Sequence, residues 1–419
     1  MTKTKIALLL GVFILSFFAC RQTQRVSTYN LAHLYNPQQR FLNPVYNLRH
    51  VSADQSILRL EIPSDELLFV RESREEHLTA RFRLHCMLFD SFESKQMIDS
   101  VQKTFRDTLS SSDPYLISRE VSIALNAGLS GVLLITLEDL NRRISDTYMM
   151  PVDKSSPMAP GFFTMTVQAH THSFPFFASV NQTISLGYAD STSFSMRVDY
   201  FGHIQQIPLP PSVNIEDSHV YSPAKPALNS FRLDFTRGAA SFSPAQEGIY
   251  HLYEPGNPQH GFVILVNDTG FPAMIAAGAL VRPLRYISSR DEFEALLTYP
   301  DARLATERFW TRSAGNPDRS AELRRRYYTR AEQANVLFSS FVQGWQSDRG
   351  MIYIIFGPPQ RVYRTDRTET WYYPEGVNIP AVQFSFHKWD NPFSSNHFIL
   401  ERNTMHRSAW NQAVNVWRR

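Results

Sequence analysis

Three adjacent polar residues, Ser347, Asp348 and Arg349, are the strongest candidates for chemistry in this 419-residue chain. A carboxylate beside a guanidinium occurs in active sites, and Tyr353 or Trp371 could line a pocket next to it. The same arrangement is far more frequent in structural turns, where a hydroxyl and a carboxylate accept hydrogen bonds from backbone N–H groups. We therefore predict a structural role for this segment and no catalytic residue, with an active site around Asp348 as the alternative.

Metal-binding and nucleophile patterns are weaker elsewhere in the sequence. His170-Thr171-His172 would place two imidazoles on one face of a strand, but two ligands do not complete a metal site. The sequence contains no HExxH or CxxC motif, no GxSxG elbow, no phosphate-binding glycine loop and no dinucleotide fingerprint. It therefore predicts neither a metal site nor a cofactor.

The first twenty residues have the pattern of a bacterial export signal. Lys3 and Lys5 precede an apolar run, residues 6–18, that is too short to span a bilayer comfortably. The run meets Ala19-Cys20, and a cysteine after a small residue is the arrangement of a lipoprotein signal. We predict that Cys20 receives diacylglycerol and becomes the first residue of the processed chain. An uncleaved N-terminal helix and an ordinary secretion signal are the alternatives.

The predicted anchor also sets the expected location. Acyl chains on Cys20 would hold the protein in one leaflet, and durable anchoring needs more than one chain because each buried methylene contributes about 0.8 kcal/mol. Arg21 occupies the position where lipoproteins retained in inner membranes carry an aspartate, which favours the outer membrane. We expect a lipid-anchored protein of the cell envelope at the outer membrane.

Charge and cysteine content exclude two further properties. The chain has 42 Lys and Arg against 39 Asp and Glu, and two of the lysines lie in the signal. The processed protein is therefore nearly neutral and is not expected to bind nucleic acid. Cys86 has no cysteine partner other than Cys20, which excludes an intrachain disulfide in a lipidated chain. Its place in an apolar alternation predicts a buried side chain.

Alternation of apolar and polar residues predicts a mostly β protein. Residues 21–50 lack a period of 2 or 3.6 and are predicted to be a tether or an irregular arm, with a reach of up to about 100 Å; whether the arm docks is left open. A period of 2 then predicts an immunoglobulin-like β-sandwich over 51–155. A second β-rich domain is predicted over 156–287, interrupted by a proline-rich loop at 208–226. Strands are predicted at 57–62, 78–89, 115–125, 131–140, 162–169, 194–200, 230–235, 248–253 and 261–266.

Helical periodicity replaces the alternation in the C-terminal region. Ser289 opens a helix-start pattern, and Gly315-Asn316-Pro317 separates two helices. The second helix carries an apolar stripe that begins at Leu323 and ends at Trp345. Four arginines lie off this stripe and are expected to form a solvated face, with binding of anionic headgroups as the alternative: Arg324, Arg325, Arg326 and Arg330. The predicted fold class is mostly β, with one or two antiparallel sandwiches followed by an α+β domain over 288–419, where a helical pair packs on a small antiparallel sheet.

A structural corner is predicted after the second helix. Gly344 and Gly350 are expected to adopt positive φ where the helix turns into a strand over 351–356. Gly357 and two prolines are expected to form a stiff exit turn. The residues assigned to this corner are Gly344, Trp345, Ser347, Asp348, Arg349, Gly350, Tyr353, Gly357, Pro358, Pro359 and Trp371.

Two large side chains of this corner are expected to be buried. Trp345 ends the apolar stripe, so its ring is expected to pack against the sheet. Arg349 is expected to hold a carboxylate from the following hairpin, Glu369 or Asp366, in a bidentate pair. Both contacts would make the segment an element of architecture.

The C-terminal domain carries a connected set of motifs. They are the helix 330–338, the run Gly344-Trp345-Gln346-Ser347-Asp348-Arg349-Gly350, Tyr353, the turn Gly357-Pro358-Pro359 and the aromatic strand Trp371-Tyr372-Tyr373. This set resembles the GWxTD-domain family of bacterial envelope proteins, with Ser347 where the family name has threonine. The family is functionally uncharacterised and its members are often predicted lipoproteins, which agrees with the interpretation of Cys20.

The anchor and the resemblance together imply a function in the envelope. We expect a binding or scaffolding component at the periplasmic side of the outer membrane, with a protein partner in a secretion or surface-assembly machine. The alternative is an envelope hydrolase with its site around Asp348. A buried and fully paired Asp348 would favour the scaffold, and an open cleft with a second titratable group would favour the enzyme. The sequence identifies no small-molecule ligand.

Overall fold

The computed structural model describes residues 25–71, 77–168, 170–172, 175–213, 226–376 and 379–418. The predicted signal and Cys20 lie outside the described residues, so lipidation stays a prediction. The described part is mostly β, with a C-terminal region of helices and a small sheet, which confirms the predicted fold class. Within that part, no helix combines the length and the apolarity needed to cross a membrane.

The N-terminal part forms an antiparallel β-sandwich preceded by a short helix. In chain order its elements are α1 (Ala32–Tyr35), β1 (Val45–His50), β2 (Gln55–Pro63), β3 (Val70–Arg71), β4 (Leu78–Phe89), β5 (Met97–Thr108), β6 (Leu116–Ala124), β7 (Ser130–Asp139) and β8 (Ile144–Asp153). One sheet has the order β1-β2-β6, and the other has the order β3-β4-β7-β8 with β5 also paired to β4. Fully buried Leu58, Phe82 and Ile135 belong to the core between the two sheets.

Strand β4 shows how the alternation produces this core. Phe82, Leu84, Cys86 and Leu88 are buried, while their neighbours are more exposed. Burial raises the pKa of the Cys86 thiol to about 12, so it stays protonated and acts as a small packed side chain, as predicted. Strand β5 was not predicted, because its side chains are exposed or half-buried on both faces and carry no clear apolar alternation.

A second β-rich region follows. Its strands are β9 (Phe163–Val167), β10 (His170–His172), β11 (Phe176–Ser179), β12 (Ile184–Tyr188), β13 (Phe194–Phe201), β14 (Asn229–Phe235), β15 (Ala239–Phe242), β16 (Gly248–Glu254) and β17 (Asn257–Asn267). They form two sheets, β10-β9-β12-β15 and β11-β17-β16-β13-β14. Phe163 and Phe262 meet in the shared core with ring centroids 4.7 Å apart. Residues 202–213 lie outside helices and strands, as predicted for the proline-rich loop, and residues 214–225 are outside the described part.

The C-terminal region combines six helices of the described chain with a four-stranded antiparallel sheet. Its elements are α2 (Ala277–Val281), α3 (Arg290–Thr298), α4 (Ala302–Ala314), α5 (Pro317–Phe338), α6 (Asp348–Phe356), β18 (Arg361–Arg364), β19 (Thr368–Tyr373), β20 (Val382–Lys388), β21 (Phe398–Leu400) and α7 (His406–Val416). The predicted helix start is confirmed, because Ser289 and Glu292 form a reciprocal capping box on α3. The predicted break is also confirmed, since Gly315 ends α4 with φ 75° and Asn316 caps α5.

The strand predicted over 351–356 is wrong, because these residues belong to helix α6. Ser347 caps this helix, and its hydroxyl accepts a hydrogen bond from the Gly350 N–H at 3.0 Å. Residues 348–355 are buried whichever side of the helix they occupy. A short, fully buried helix has no polar face, so its apolar run has the same appearance as a buried strand.

The segment predicted as a tether is docked from residue 26 onward. Val26 is fully buried, and the Leu31 N–H donates to the Val362 carbonyl of β18 at 2.8 Å. Tyr35 is 6% exposed and stacks on Phe338 of α5 with centroids 5.5 Å apart. The arm is therefore part of the C-terminal core, and a reach of 100 Å is excluded because only residues before 26 are left to span any gap.

The three regions pack against one another through apolar contacts. One buried cluster includes Phe89 and Val132 of the first sandwich together with the arm and the C-terminal helices. A second cluster joins Ile249 of the second β-rich region to Phe341 and Phe393 of the C-terminal region. The first sandwich and the second β-rich region each share a core with the C-terminal region, and the boundaries at 155 and 287 stay predictions.

The ion pair between Glu292 and Arg418 gives α3 a pH-dependent attachment. Both oxygens of Glu292 accept from Arg418 at 2.7 Å, and this bond holds the pKa of Glu292 at about 2, below its ordinary 4.5. A depressed pKa stabilises the fold above pH 4.5, and that contribution is lost as the pH falls towards 2. We expect Glu292→Gln to lower the free energy of unfolding by about 1–2 kcal/mol at pH 7 and very little at pH 2.

Thermal unfolding of both proteins between pH 2 and pH 7 measures this difference. Glu294→Gln is the matched control, because its pair with Arg290 on the same helix is exposed. A stability gap between wild type and Glu292→Gln that does not narrow on acidification would contradict the assignment.

Candidate functional site

The motif predicted as a corner lies in the tight connection between α5 and α6. After α5 the chain runs through a single 3₁₀ turn, Gly344–Gln346, before Ser347 caps α6. The Gly344 N–H donates to the Ser339 hydroxyl at 2.9 Å, and the Trp345 N–H donates to Asn335 Oδ1 at 3.0 Å. These bonds fold the connection back against the last turns of α5.

Glycine is required at two positions of this connection because backbones touch there. A Cβ on Gly344 would overlap the Ala334 carbonyl group of α5 and would lie only 2.6 Å from its carbon. A Cβ on Gly350 would overlap the Gly344 carbonyl group and would lie 2.9 Å from its carbon. The positive φ expected at both glycines is wrong; it occurs instead at Gly357, with φ 87°. Glycine is needed at both positions because another part of the backbone lies too close for a Cβ, and not because the backbone is left-handed there.

Ser347 performs the role predicted for its hydroxyl. Its Oγ donates to the Gly344 carbonyl at 2.7 Å while accepting from the Gly350 N–H. A threonine would offer the same hydroxyl. The side chain therefore closes the turn and begins α6.

Asp348 is buried and fully engaged, with 2% of its surface exposed. Its carboxylate accepts from Arg402 at 2.6 and 3.1 Å and from the Leu400 N–H at 2.8 Å. Asp348 was expected to accept hydrogen bonds from backbone N–H groups of the turn that contains it. It accepts instead from Leu400 at the end of β21 and from Arg402 just after that strand. Sequence reasoning missed Arg402, and no local pattern marks it, since it lies 54 residues away in an irregular segment.

Arg349 forms the ion pair predicted for it, and the partner is Glu369. Nη1 lies 3.2 Å from Glu369 Oε2, with side-chain exposures of 2% and 0%. The second nitrogen, Nη2, donates to Asn396 at 2.7 Å, so the pair is not bidentate. The other predicted partner, Asp366, accepts instead from the Phe92 N–H at 3.1 Å.

Glu369 is the centre of a buried polar network. Its Oε1 accepts from the Tyr35 hydroxyl at 2.9 Å and from the Trp371 ring N–H at 2.7 Å. Arg364 lies 3.7 Å from Oε2 as a second cation. The Arg349 guanidinium also lies over the Phe398 ring, 4.4 Å from its centroid. Burial lowers the pKa of Arg349, and the charge of Glu369 opposes that shift.

The remaining aromatic residues of the motif are also enclosed. Trp345 is 1% exposed, and its carbonyl accepts from the Tyr286 hydroxyl at 2.9 Å. The Tyr353 hydroxyl donates to the Tyr35 carbonyl at 2.8 Å. Trp371 is fully buried beside Glu369. None of the three lines an open pocket.

The exit turn is braced by one of the predicted helix arginines. Arg330 donates to the carbonyls of Ile354 and Ile355 at the end of α6 at 2.9 and 3.2 Å. Its guanidinium also lies 5.1 Å from the centroid of the Trp417 ring, and Arg326 lies over the same ring. These two arginines are structural, whereas Arg324 and Arg325 are exposed as predicted.

Surface cavities along the C-terminal helices lie away from the motif. Two of them, of about 660 and 560 Å³, are lined by residues of α5 and its neighbouring helices, and no motif residue lines either of them. His170 and His172 are exposed on β10. No group of three or more potential metal ligands is found among the residues that the structure describes.

These features define a β-rich protein with a C-terminal α+β domain built around a buried corner. Residues 248–419 match the GWxTD domain. The chain therefore carries a GWxTD domain in its C-terminal part, and the resemblance stated from the motifs is confirmed for that region. The matched region begins at β16, so it includes two strands of the second β-rich region as well as the predicted domain.

Comparison with other known proteins adds little. No curated protein matches the chain in sequence. Among solved structures, red sea bream transglutaminase is similar at 13% identity and a TM-score of 0.17, over 51% of this chain and 29% of that chain. This chain thus corresponds to less than a third of that enzyme, and a TM-score so low supports no conclusion about fold or activity.

Proposed function

We propose that this protein is a lipid-anchored scaffold or binding component of the bacterial cell envelope. It acts at the periplasmic side of the outer membrane and holds a protein partner in a secretion or surface-assembly machine. The observation that carries the proposal is the state of Asp348, which is buried and has both carboxylate oxygens engaged by Arg402 and the Leu400 N–H. A buried carboxylate whose two oxygens both accept from structural donors is not available to substrate, which removes the support for a hydrolase at this position.

Packing gives a second line of support. The arm, the first sandwich and the C-terminal helices share one apolar core, so these parts pack together as one unit. A surface that is already packed before association suits binding of partners, because little conformational entropy is lost on association.

The docked arm also sets the distance between the body and the proposed anchor. Val26 is buried in the body, and Cys20 lies six residues before it. Six residues extend to at most about 20 Å. Acyl chains on Cys20 would therefore keep the C-terminal region close to the bilayer surface.

Mass spectrometry of the protein from its native host tests the anchor. The N-terminal peptide is expected to begin at Cys20 and to carry the mass of diacylglycerol together with any N-acyl chain. A bare cysteine at position 20, or a leader still attached, would contradict the proposed location.

Replacement of Asp348 by asparagine tests the structural role. We expect a loss of about 2 kcal/mol in the free energy of unfolding, since the charge opposite buried Arg402 is removed while the acceptor for the Leu400 N–H is kept. Asp113→Asn in an exposed turn is the control and should be nearly neutral.

Crosslinking in cells supplies the functional readout for the same variant. The wild type is expected to capture a defined envelope protein, and Asp348→Asn should capture less of it only in proportion to its lost stability. A variant with full stability and no function would instead favour a role for Asp348 in chemistry.

A further inference from the structure

A groove on the helical surface has the chemistry of a ligand site that the motif does not use. It lies where α4 and α5 face α2 and the residues before it, and it encloses about 660 Å³. Its floor is apolar: Met274 is 7% exposed, Tyr328 is 8% exposed, and Leu280 is half-buried. The Tyr328 hydroxyl donates a hydrogen bond to the Leu280 carbonyl, 2.7 Å away.

The rim of the groove is cationic. Arg303, Arg324 and Arg325 line it and are exposed. Within the described chain, no hydrogen bond or ion pair engages the guanidinium group of any of the three, and the lining contains one carboxylate, Glu307. Two other arginines of the C-terminal region are engaged, Arg418 with Glu292 and Arg402 with Asp348. With three arginines against the single carboxylate of Glu307, the lining of the groove keeps an excess of positive charge.

Positive charge beside an apolar floor indicates the class of ligand. Guanidinium groups bind phosphate through charge-assisted hydrogen bonds, whereas a buried apolar floor contributes nothing to an inorganic ion. A phosphate attached to acyl chains would use both parts of the groove. The proposed anchor places the body within reach of such molecules, although the chemistry of the groove does not depend on it.

We propose that this groove binds the headgroup of an anionic phospholipid. The three arginines contact the phosphate and the negatively charged headgroup, and the first carbons of the acyl chains lie on Met274 and Leu280. The groove would thus fix the orientation of the body relative to the membrane surface, which an N-terminal anchor alone leaves free.

Native mass spectrometry of the full-length processed protein in detergent tests this site. The probes are phosphatidylglycerol, phosphatidylcholine with the same acyl chains, and inorganic phosphate. We expect phosphatidylglycerol to bind about tenfold more tightly than phosphatidylcholine, with no retained adduct of inorganic phosphate. The double variant Arg324→Gln/Arg325→Gln should weaken the phosphatidylglycerol adduct by about tenfold or more.

The matched control is Arg312→Gln/Arg319→Gln, which removes the same charge from two exposed positions outside the groove, one on α4 and one on α5. It should leave the adduct unchanged. Equal loss in both double variants would show a nonspecific charge effect and would overturn the site. Equal binding of the two lipids, or binding of inorganic phosphate as tight as that of phosphatidylglycerol, would overturn the lipid assignment.

The outcome is separable from that of the proposed anchor. The intact mass reports the acyl chains on Cys20 directly, and the noncovalent adduct reports the groove. A protein without covalent lipid that still selects phosphatidylglycerol would disprove the anchor alone, and an acylated protein without that selectivity would disprove the groove alone.

Discussion

Glu369→Gln is expected to lower the free energy of unfolding by about 3–5 kcal/mol, because it leaves the buried Arg349 guanidinium without its counter-charge. The pair is almost completely desolvated, with 2% and 0% of the two side chains exposed. The carboxylate also accepts from Tyr35 and Trp371 through one oxygen. A glutamine keeps the shape and one acceptor but not the charge, so the loss reports the electrostatic part of the network. Chemical denaturation monitored by tryptophan fluorescence measures it.

Two further variants make this result interpretable. Glu120→Gln removes the same charge from the pair with Arg59, which is nearly half exposed on both sides, and should change stability by about 1 kcal/mol or less. Arg349→Met combined with Glu369→Gln should be more stable than the sum of the single losses predicts, since neither charge is then left alone. A neutral Glu369→Gln, or losses that simply add, would show that the pair is not a coupled element of the fold.

Gly344→Ala is expected to lower the free energy of unfolding by about 3 kcal/mol, the upper end of the range for an overpacked core. The effect is large because the group that the added Cβ would meet belongs to the backbone of α5. The added Cβ would overlap the Ala334 carbonyl group of α5, and side-chain rotation cannot relieve that overlap. To accommodate it, α5 must separate from the turn, which would weaken the hydrogen bond between the Trp345 N–H and Asn335. Thermal and denaturant unfolding, with circular dichroism for helix content, measure the effect.

Gly278→Ala is the matched control for that substitution. Gly278 lies in helix α2, its φ is not in the left-handed region, and no atom lies within 4 Å of the position of an added Cβ. Alanine there should stabilise the helix by about 0.5–1 kcal/mol. If the Gly344→Ala protein were as stable as the Gly278→Ala protein, the close contact between Gly344 and the Ala334 carbonyl would be contradicted.

These expectations give the sequence motif a single physical meaning. Glycine allows the turn to touch α5, serine caps α6, and Asp348 and Arg349 tie α6 to the sheet and to the segment that follows β21. Each role needs a different residue type at a fixed spacing. The packing requirements of this connection therefore account for the residue types and the spacing of the motif.

Local patterns in the sequence located several strands and the starts of two helices. Apolar alternation located β4 at its observed bounds, and the capping residues Ser289 and Asn316 located the starts of α3 and α5. These patterns are readable because they depend on residues a few positions apart. Glu369 was one of two partners predicted for Arg349, the other being Asp366, and the structure pairs Arg349 with Glu369.

Tertiary structure alone decided the contacts that give the corner its character. Residues 351–356 became a helix because burial on all sides removes the polar face by which a helix is recognised. Asp348 is paired with a residue 54 positions away, and Tyr35 with one 334 positions away. The sequence specified which groups would need partners once buried, but the choice of partner depends on which surfaces meet when the sheets and helices pack, and no local pattern carries that information.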